Sequence, residues 1–101
     1  MATARKRLDQ QEIDELGRTT GWTADAGTLE KTFAFGAYRD GVAFGVAIAM
    51  AAEARDHHPD IVIGYGRVMV RWSTHDAGGI TQLDAEMAKL SDEIAARHGS
   101  T

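Results

Sequence analysis

The chain has 101 residues, enough for one compact domain with a real core and little left for a second module. Hydrophobic residues make up 44% and charged residues 26%, the balance of a globular chain rather than a disordered one. A formal net charge of -4 argues against nucleic acid or an anionic membrane as the main partner, and the lack of cysteine excludes disulfides and thiol catalysis. No apolar leader follows the basic cluster Arg5-Lys6-Arg7, and the longest apolar run, Val42 to Ala52, is too short to span a bilayer. A cytoplasmic domain filling residues 1–101 is expected, with residues 1–8 a frayed, solvated tail.

In chain order, Asp9 reads as a helix N-cap with Glu12 three residues on, a capping box, and Leu8 with Ile13 makes a hydrophobic staple. The helix should run from about Gln10 to Arg18, bury Ile13 and Leu16, and end at Gly17 and Gly21. Trp22 opens a short strand, Asp25-Ala26-Gly27 turns it, and a return strand follows from Leu29 to Phe35. There Leu29, Lys31, Phe33 and Phe35 share one face. A long helix is expected over Tyr38 to Arg55, apolar nearly all round from Val42 to Ala52, so it should be covered on more than one side. Gly41 and Gly45 allow close backbone approach, and Pro59 stops the helix. Ile61-Val62-Ile63 and Val68 to Trp72 are strands around the turn Gly64-Tyr65-Gly66, with Val68, Val70 and Trp72 facing the core. Thr81 caps the last helix with Asp84 as a short-armed capping partner. Leu83, Met87, Leu90 and Ile94 form its buried stripe. The order α-β-β-α-β-β-α predicts an α+β fold, one antiparallel sheet covered on one face.

The chemistry gathers in two junctions. Glu53-Ala54-Arg55-Asp56-His57-His58-Pro59 lies where the long helix stops, and Ser73-Thr74-His75-Asp76 where a strand ends. Three of the four histidines sit in these segments. Histidine gives and takes protons near neutrality, so the pattern points to proton transfer. Neighbouring side chains diverge, so His57 and His58 should not act on the same atom. His75 can approach from the far side, and two imidazoles flanking a flat substrate suit a dehydration, with an acid at the leaving oxygen and a base at the adjacent proton. Plainer readings exist for each. His57 and His58 suit a helix C-terminus, Glu53 and Asp56 a solvated face, Asp84 a cap, and His98 the last turn of its helix. No zinc-site spacing appears, and Ser73 lacks a nucleophile-elbow context.

Taken together, E-x-x-D-H-H-P, then Tyr65, Val68 and the pair Thr74-His75, resembles the signature of the pterin-4a-carbinolamine dehydratases. The likeness continues through Gly79-Ile80-Thr81, Asp84 and Ala88, and upstream through Gly21-Trp22 and Phe33-x-Phe35. It implies a four-stranded antiparallel sheet with three helices packed on one face, assembling as a homodimer or homotetramer. The implied activity is dehydration of 4a-hydroxytetrahydropterin to quinonoid dihydropterin in tetrahydrobiopterin recycling, with neither metal nor organic cofactor. His57, His58 and His75 fall on the family's catalytic histidines. Glu53, Asp56, Pro59, Ser73, Thr74 and Asp76 fall in its substrate-contacting segments, Glu53 and Asp56 to orient imidazoles or accept from the pterin's amino edge. Expected partners are the pterin and a pterin-dependent hydroxylase of the same pathway. Some relatives are dimerisation partners of a transcription factor or assembly chaperones, so a non-catalytic interaction module is the alternative. The sequence departs from the family at Ile61, usually tryptophan, at Ala37, usually a capping aspartate, and at Trp72, usually aliphatic.

Overall fold

A computed structural model describes residues 5–101. Its elements are α1 (Gln10–Thr20), β1 (Thr23–Asp25), β2 (Thr28–Ala34), α2 (Tyr38–Arg55), β3 (Asp60–Gly64), β4 (Arg67–Ser73), a 3-10 turn (His75–Ala77) and α3 (Gln82–Arg97). The strands form one four-stranded antiparallel sheet in the order β1-β2-β4-β3, with β2 and β4 central. The helices lie on the face that carries Leu29, Phe33, Val68, Val70 and Trp72, all buried. The expected fold class is therefore the observed one.

Local signals account for most of this. The capping box closes α1: Glu12 N–H donates to Asp9 Oδ1 at 2.8 Å, and Asp9 N–H donates to Glu12 Oε1 at 2.9 Å. The helix passes through Gly17 to Thr20, beyond the expected stop, and ends at Gly21 with φ 80°. Gly17 serves the chain reversal instead, since a Cβ there would sit 3.3 Å from the Trp22 carbonyl oxygen. Ala26 and Gly27 take φ values of 50° and 82°, the two-residue turn that matches the twist of a hairpin.

The long helix, α2, buries Gly41, Phe44, Gly45, Ile48 and Ala52. A Cβ at Gly45 would lie 2.8 Å from Ile63 Cδ1, and one at Gly41 3.2 Å from Val68 Cγ2, so both glycines let the helix axis approach the sheet. The opposite side of α2 stays open, with Val46 56% and Met50 69% exposed.

Backbone hydrogen bonds tie down residues 6–8 and Thr101. Leu8 N–H donates to the Ile80 carbonyl at 2.9 Å, Gln82 N–H donates to the Lys6 carbonyl at 2.9 Å, and Arg7 bridges Thr81. The expectation of a frayed tail through residue 8 is thus corrected for residues 6–8, whose backbone pairs with the entry to α3. Residues 1–4 of that tail lie outside the described residues. At the other end, Thr101 N–H donates to the Ala34 carbonyl at 2.9 Å. Among the described residues, no helix is long and apolar enough to cross a membrane.

Candidate functional site

The C-terminal end of α2, the C-terminal end of β4 and the N-terminal turn of α3 meet at one corner of the sheet. The helix stops at Arg55, ahead of Pro59, and the residue that turns the chain is Asp56, left-handed at φ 51°. Its N–H and that of His57 return to the last carbonyls of α2, at Glu53 and Ala52 respectively. Aspartate tolerates this conformation better than most residues. The reversal swings His57 inward and leaves His58 outside.

His57 is 7% exposed and stacks on the indole of Trp72, with centroids 5.7 Å apart and planes within 12°. Its Nε2 lies 2.6 Å from Oδ1 of Asp84, which is wholly buried. The other carboxylate oxygen, Oδ2, accepts from Thr81 N–H at 3.0 Å and from the Thr74 hydroxyl at 2.8 Å. The Thr74 and Thr81 hydroxyls are 2.9 Å apart; since Thr74 gives its hydrogen to Asp84, Thr81 gives its own to Thr74. The carboxylate is therefore fully engaged as an acceptor, and the proton toward Oδ1 belongs to His57 Nε2. Among the described residues, His57 Nδ1 has no hydrogen-bond partner and is not fully buried. One imidazole thus has its tautomer set from behind and its lone pair turned outward.

His58 is exposed and bonds through Nε2 to Glu53 Oε1 at 2.8 Å. His75 opens the 3-10 turn, also exposed, with Ser73 Oγ 3.5 Å from its Nε2. Between them lies an open cleft of about 300 Å³ lined by Asp56, His57, His58, Ser73, Thr74, His75, Asp76 and Arg5. Such a volume suits a small ring system. A second cleft of about 200 Å³ shares Ser73, Thr74 and His75, so His75 stands on the ridge between the two. A larger cleft of about 480 Å³ lies against Arg7, Asp9, Asp25 and Gly79, but it holds no histidine and its Asp9 carboxylate already caps α1. Chemistry, not size, marks the site.

Seven of the nine residues singled out from the sequence line this cleft. Glu53 reaches it only through His58, and Pro59 does not line it. Of Glu53 and Asp56, expected to orient imidazoles or to accept from the pterin's amino edge, one touches an imidazole. Glu53 holds His58, Asp56 makes no side-chain hydrogen bond among the described residues, and the carboxylate that fixes His57 is Asp84. Asp84 does cap α3 as read, so its local role concealed the other. The only hint was an aspartate where the longer glutamate makes the better capping arm. Among the described residues, no group of three or more His, Asp or Glu side chains converges as a metal ion would need.

Residues 6–94 match the family model described as Pterin 4 alpha carbinolamine dehydratase. The chain belongs to this family. It is 43% identical to a Sulfurisphaera tokodaii protein, over 88% of this chain and 97% of that one. It is 46% identical to a Roseiflexus protein, over 87% and 96% respectively. Both relatives are provisionally named pterin-4-alpha-carbinolamine dehydratases. The fold superposes on the crystal structure of a transcriptional coactivator/pterin dehydratase from Brucella melitensis with a TM-score of 0.82, at 33% identity, covering 89% of this chain and 99% of that one. It also resembles a pterin dehydratase-like protein identified as a RuBisCO assembly factor in the alpha-carboxysome, with a TM-score of 0.61 and 28% identity over 73% of this chain and 86% of that one.

Within the dehydratase family frame, the departures find their places. Ile61 packs toward α2, close to where a Gly45 side chain would begin, and does not line the cleft. Ala37 gives α2 no side-chain cap, and its carbonyl accepts from Asp40 and Gly41 N–H instead. Trp72 is fully buried beneath His57, its Nε1–H donating to Ser91 Oγ at 3.1 Å.

Proposed function

We propose that the protein is a dehydratase acting on 4a-hydroxytetrahydropterins, with His57 and His75 as its proton-transfer groups. The observation that carries the reading is the pairing of a tautomer-locked imidazole, His57 backed by Asp84, with the unencumbered imidazole of His75 across a cleft of ring-system size. In the reaction the C4a–O bond breaks, the leaving hydroxyl takes a proton to depart as water, and the adjacent ring nitrogen gives one up. No net proton is gained or lost. His57 presents a free Nδ1 lone pair and suits the base; His75, reachable by solvent, suits the acid and can be re-protonated directly. His58 orients or binds the ring, with Glu53 holding its imidazole. Ser73 offers a hydroxyl to the cleft, while the Thr74 hydroxyl holds Asp84 and the Asp76 carboxylate pairs with Arg5 at the rim. No step calls for a metal or an organic cofactor. A purely non-catalytic assembly role, as for the carboxysomal relative, gives no reason to bury Asp84 against His57 at the edge of a cleft that holds two further histidines.

The test is single-turnover kinetics on chemically generated carbinolamine. Wild-type protein should outpace the uncatalysed reaction, and His57→Ala or His75→Ala should lose roughly a hundredfold, the low end of general acid–base contributions, because water rescues an already labile substrate. The double variant should lose more than either, and His58→Ala should weaken binding more than it slows the chemical step. No rate above background from the wild type overturns the enzyme.

Self-association as a dimer or tetramer belongs to the same proposal. Val46 and Met50 stand exposed along α2, and Val62, Ile63 and the stacked pair Tyr38–Tyr65 extend the open apolar surface around the edge strand β3. Contiguous patches of this kind are seldom left to solvent. Light scattering at micromolar protein should show a dimer or larger; a monomer of 10.9 kDa refutes this part of the reading.

A further inference from the structure

The basic cluster Arg5-Lys6-Arg7 finds no use in the chemistry above, yet it is not a loose tail. Residues 6–8 run antiparallel to Ile80–Gln82, with the Arg7–Thr81 bridge at their centre. In an extended segment alternate side chains share a side. Arg5 and Arg7 therefore fall together, and both reach the loop that carries His75. The Arg5 guanidinium pairs with the Asp76 carboxylate. Arg7 lies over the glycines that follow, where a Cβ on Gly78 would come 3.6 Å from its Nη1 and one on Gly79 3.6 Å from its Nε. Among the described residues, the Lys6 side chain makes no hydrogen bond or ion pair.

The loop needs such support. Its 3-10 turn is three residues long, its cap residue Thr74 makes no side-chain capping bond, and its backbone bonds are Ala77 N–H to the Thr74 carbonyl and Gly78 N–H to the His75 carbonyl, each 3.1 Å. Short 3-10 turns have poor hydrogen-bond geometry and hold their shape weakly. His57 has an indole and a buried carboxylate behind it; the one side-chain hydrogen bond of His75 among the described residues is to Ser73 Oγ at 3.5 Å. Among the described residues, Arg5–Asp76 is the one ion pair that joins the turn to another part of the chain.

We propose that Arg5 is a positioning residue for His75: with Arg7 it forms a strap that clamps the 75–79 loop and holds the imidazole at the cleft. The proposal rests on the dehydratase reading for what His75 does, not for how it is held. Arg5 and Asp76 are 44% and 76% exposed, and ion pairs that open to water add little to global stability. The strap's effect is therefore local, on the geometry of one side chain.

Arg5→Ala and Arg5→Lys separate this from a general folding effect. Arg5→Ala should melt with the wild type while the Ala77 and Gly78 amides exchange with solvent markedly faster. The chemical step should slow roughly tenfold to a hundredfold, the scale for a mispositioned catalytic group, with KM unchanged. Placed in a His75→Ala background, Arg5→Ala should cause no further loss. Arg5→Lys, which keeps the charge, should restore most of the amide protection and most of the rate. Unchanged exchange at Ala77 and Gly78 overturns the strap, as does an equal loss of rate in both backgrounds. If the wild type does not dehydrate pterin carbinolamine at all, the functional reading fails, and the exchange result alone decides the strap.

Discussion

Asp84→Asn should yield a folded protein that has lost up to roughly a hundredfold in turnover, as much as His57→Ala itself and the low end of the range for a general acid–base group. The reason is geometric. Thr81 N–H and the Thr74 hydroxyl both donate to Oδ2, so an asparagine must keep its oxygen on that side. Its NH₂ group then faces His57 Nε2, where the carboxylate oxygen stood at 2.6 Å. Two donors cannot share that bond. His57 must move its proton to Nδ1, which removes the lone pair from the cleft. A wrong tautomer of this kind disables a histidine base in other enzymes without disturbing their geometry. Nitrogen NMR of the His57 ring should show the inverted tautomer directly. If Asp84→Asn keeps both its turnover and the wild-type ring spectrum, His57 is not oriented from behind, and the base must be sought elsewhere.

Asp84→Ala is harsher. It leaves His57 Nε2, the Thr74 hydroxyl and the Thr81 N–H without their common acceptor in a site where Asp84, Thr81 and Thr74 are each no more than 3% exposed. Each buried donor left without an acceptor costs about 1–3 kcal/mol, and all three lose theirs here. That is a large share of the ~5–15 kcal/mol by which a domain is stable. Urea denaturation measures it, and a loss below about 1 kcal/mol would mean that water enters and replaces the carboxylate.

Trp72→Ala carries the other large expectation. The indole is fully buried in the middle of the sheet face, opposite Leu29 across the β2–β4 pairing, and it anchors on Ser91 of α3. Deleting a large buried aromatic costs about 3–5 kcal/mol through lost transfer energy and the cavity left behind. Its second consequence is specific to this protein. The indole is the platform on which His57 lies, so its removal should loosen that ring even in molecules that remain folded. Trp72→Phe, which keeps an aromatic face but no N–H, should recover much of the stability. It should recover the His57 ring position as well. An unchanged melting temperature in Trp72→Ala, with ligand binding lost, would show that the residue walls the cleft rather than fills the core.

Much of the fold is legible in the sequence because its signals are local. The capping boxes at Asp9–Glu12 and Thr81–Asp84, the helix stop before Pro59, and the alternation of Val68, Val70 and Trp72 each depend on neighbours within a few residues, and each is present as read. The histidine site is legible in the same way, through side chains clustered at element ends. Helix length at Gly17 was not, because one glycine's cost in propensity is small beside the packing of the faces around it.

What tertiary structure alone decides is which distant groups meet those side chains. Asp84 satisfies its own helix with one oxygen, and nothing in its neighbourhood says that the other faces a histidine 27 positions earlier. Arg5 reads as a solvated charge until the pairing of residues 6–8 with 80–82 carries it to Asp76, 71 positions away. Trp72 reads as core, correctly, but that the core at this point is the underside of His57 follows from how α2 crosses β4. Period and capping state which way a side chain points; the register of the sheet and the seating of the helices state what it points at. The sequence by itself therefore determines the elements, their buried faces and the presence of three histidines at two junctions. Only the folded chain determines that one imidazole is locked from behind by a buried carboxylate while another is held by a pair of arginines from the far end of the molecule.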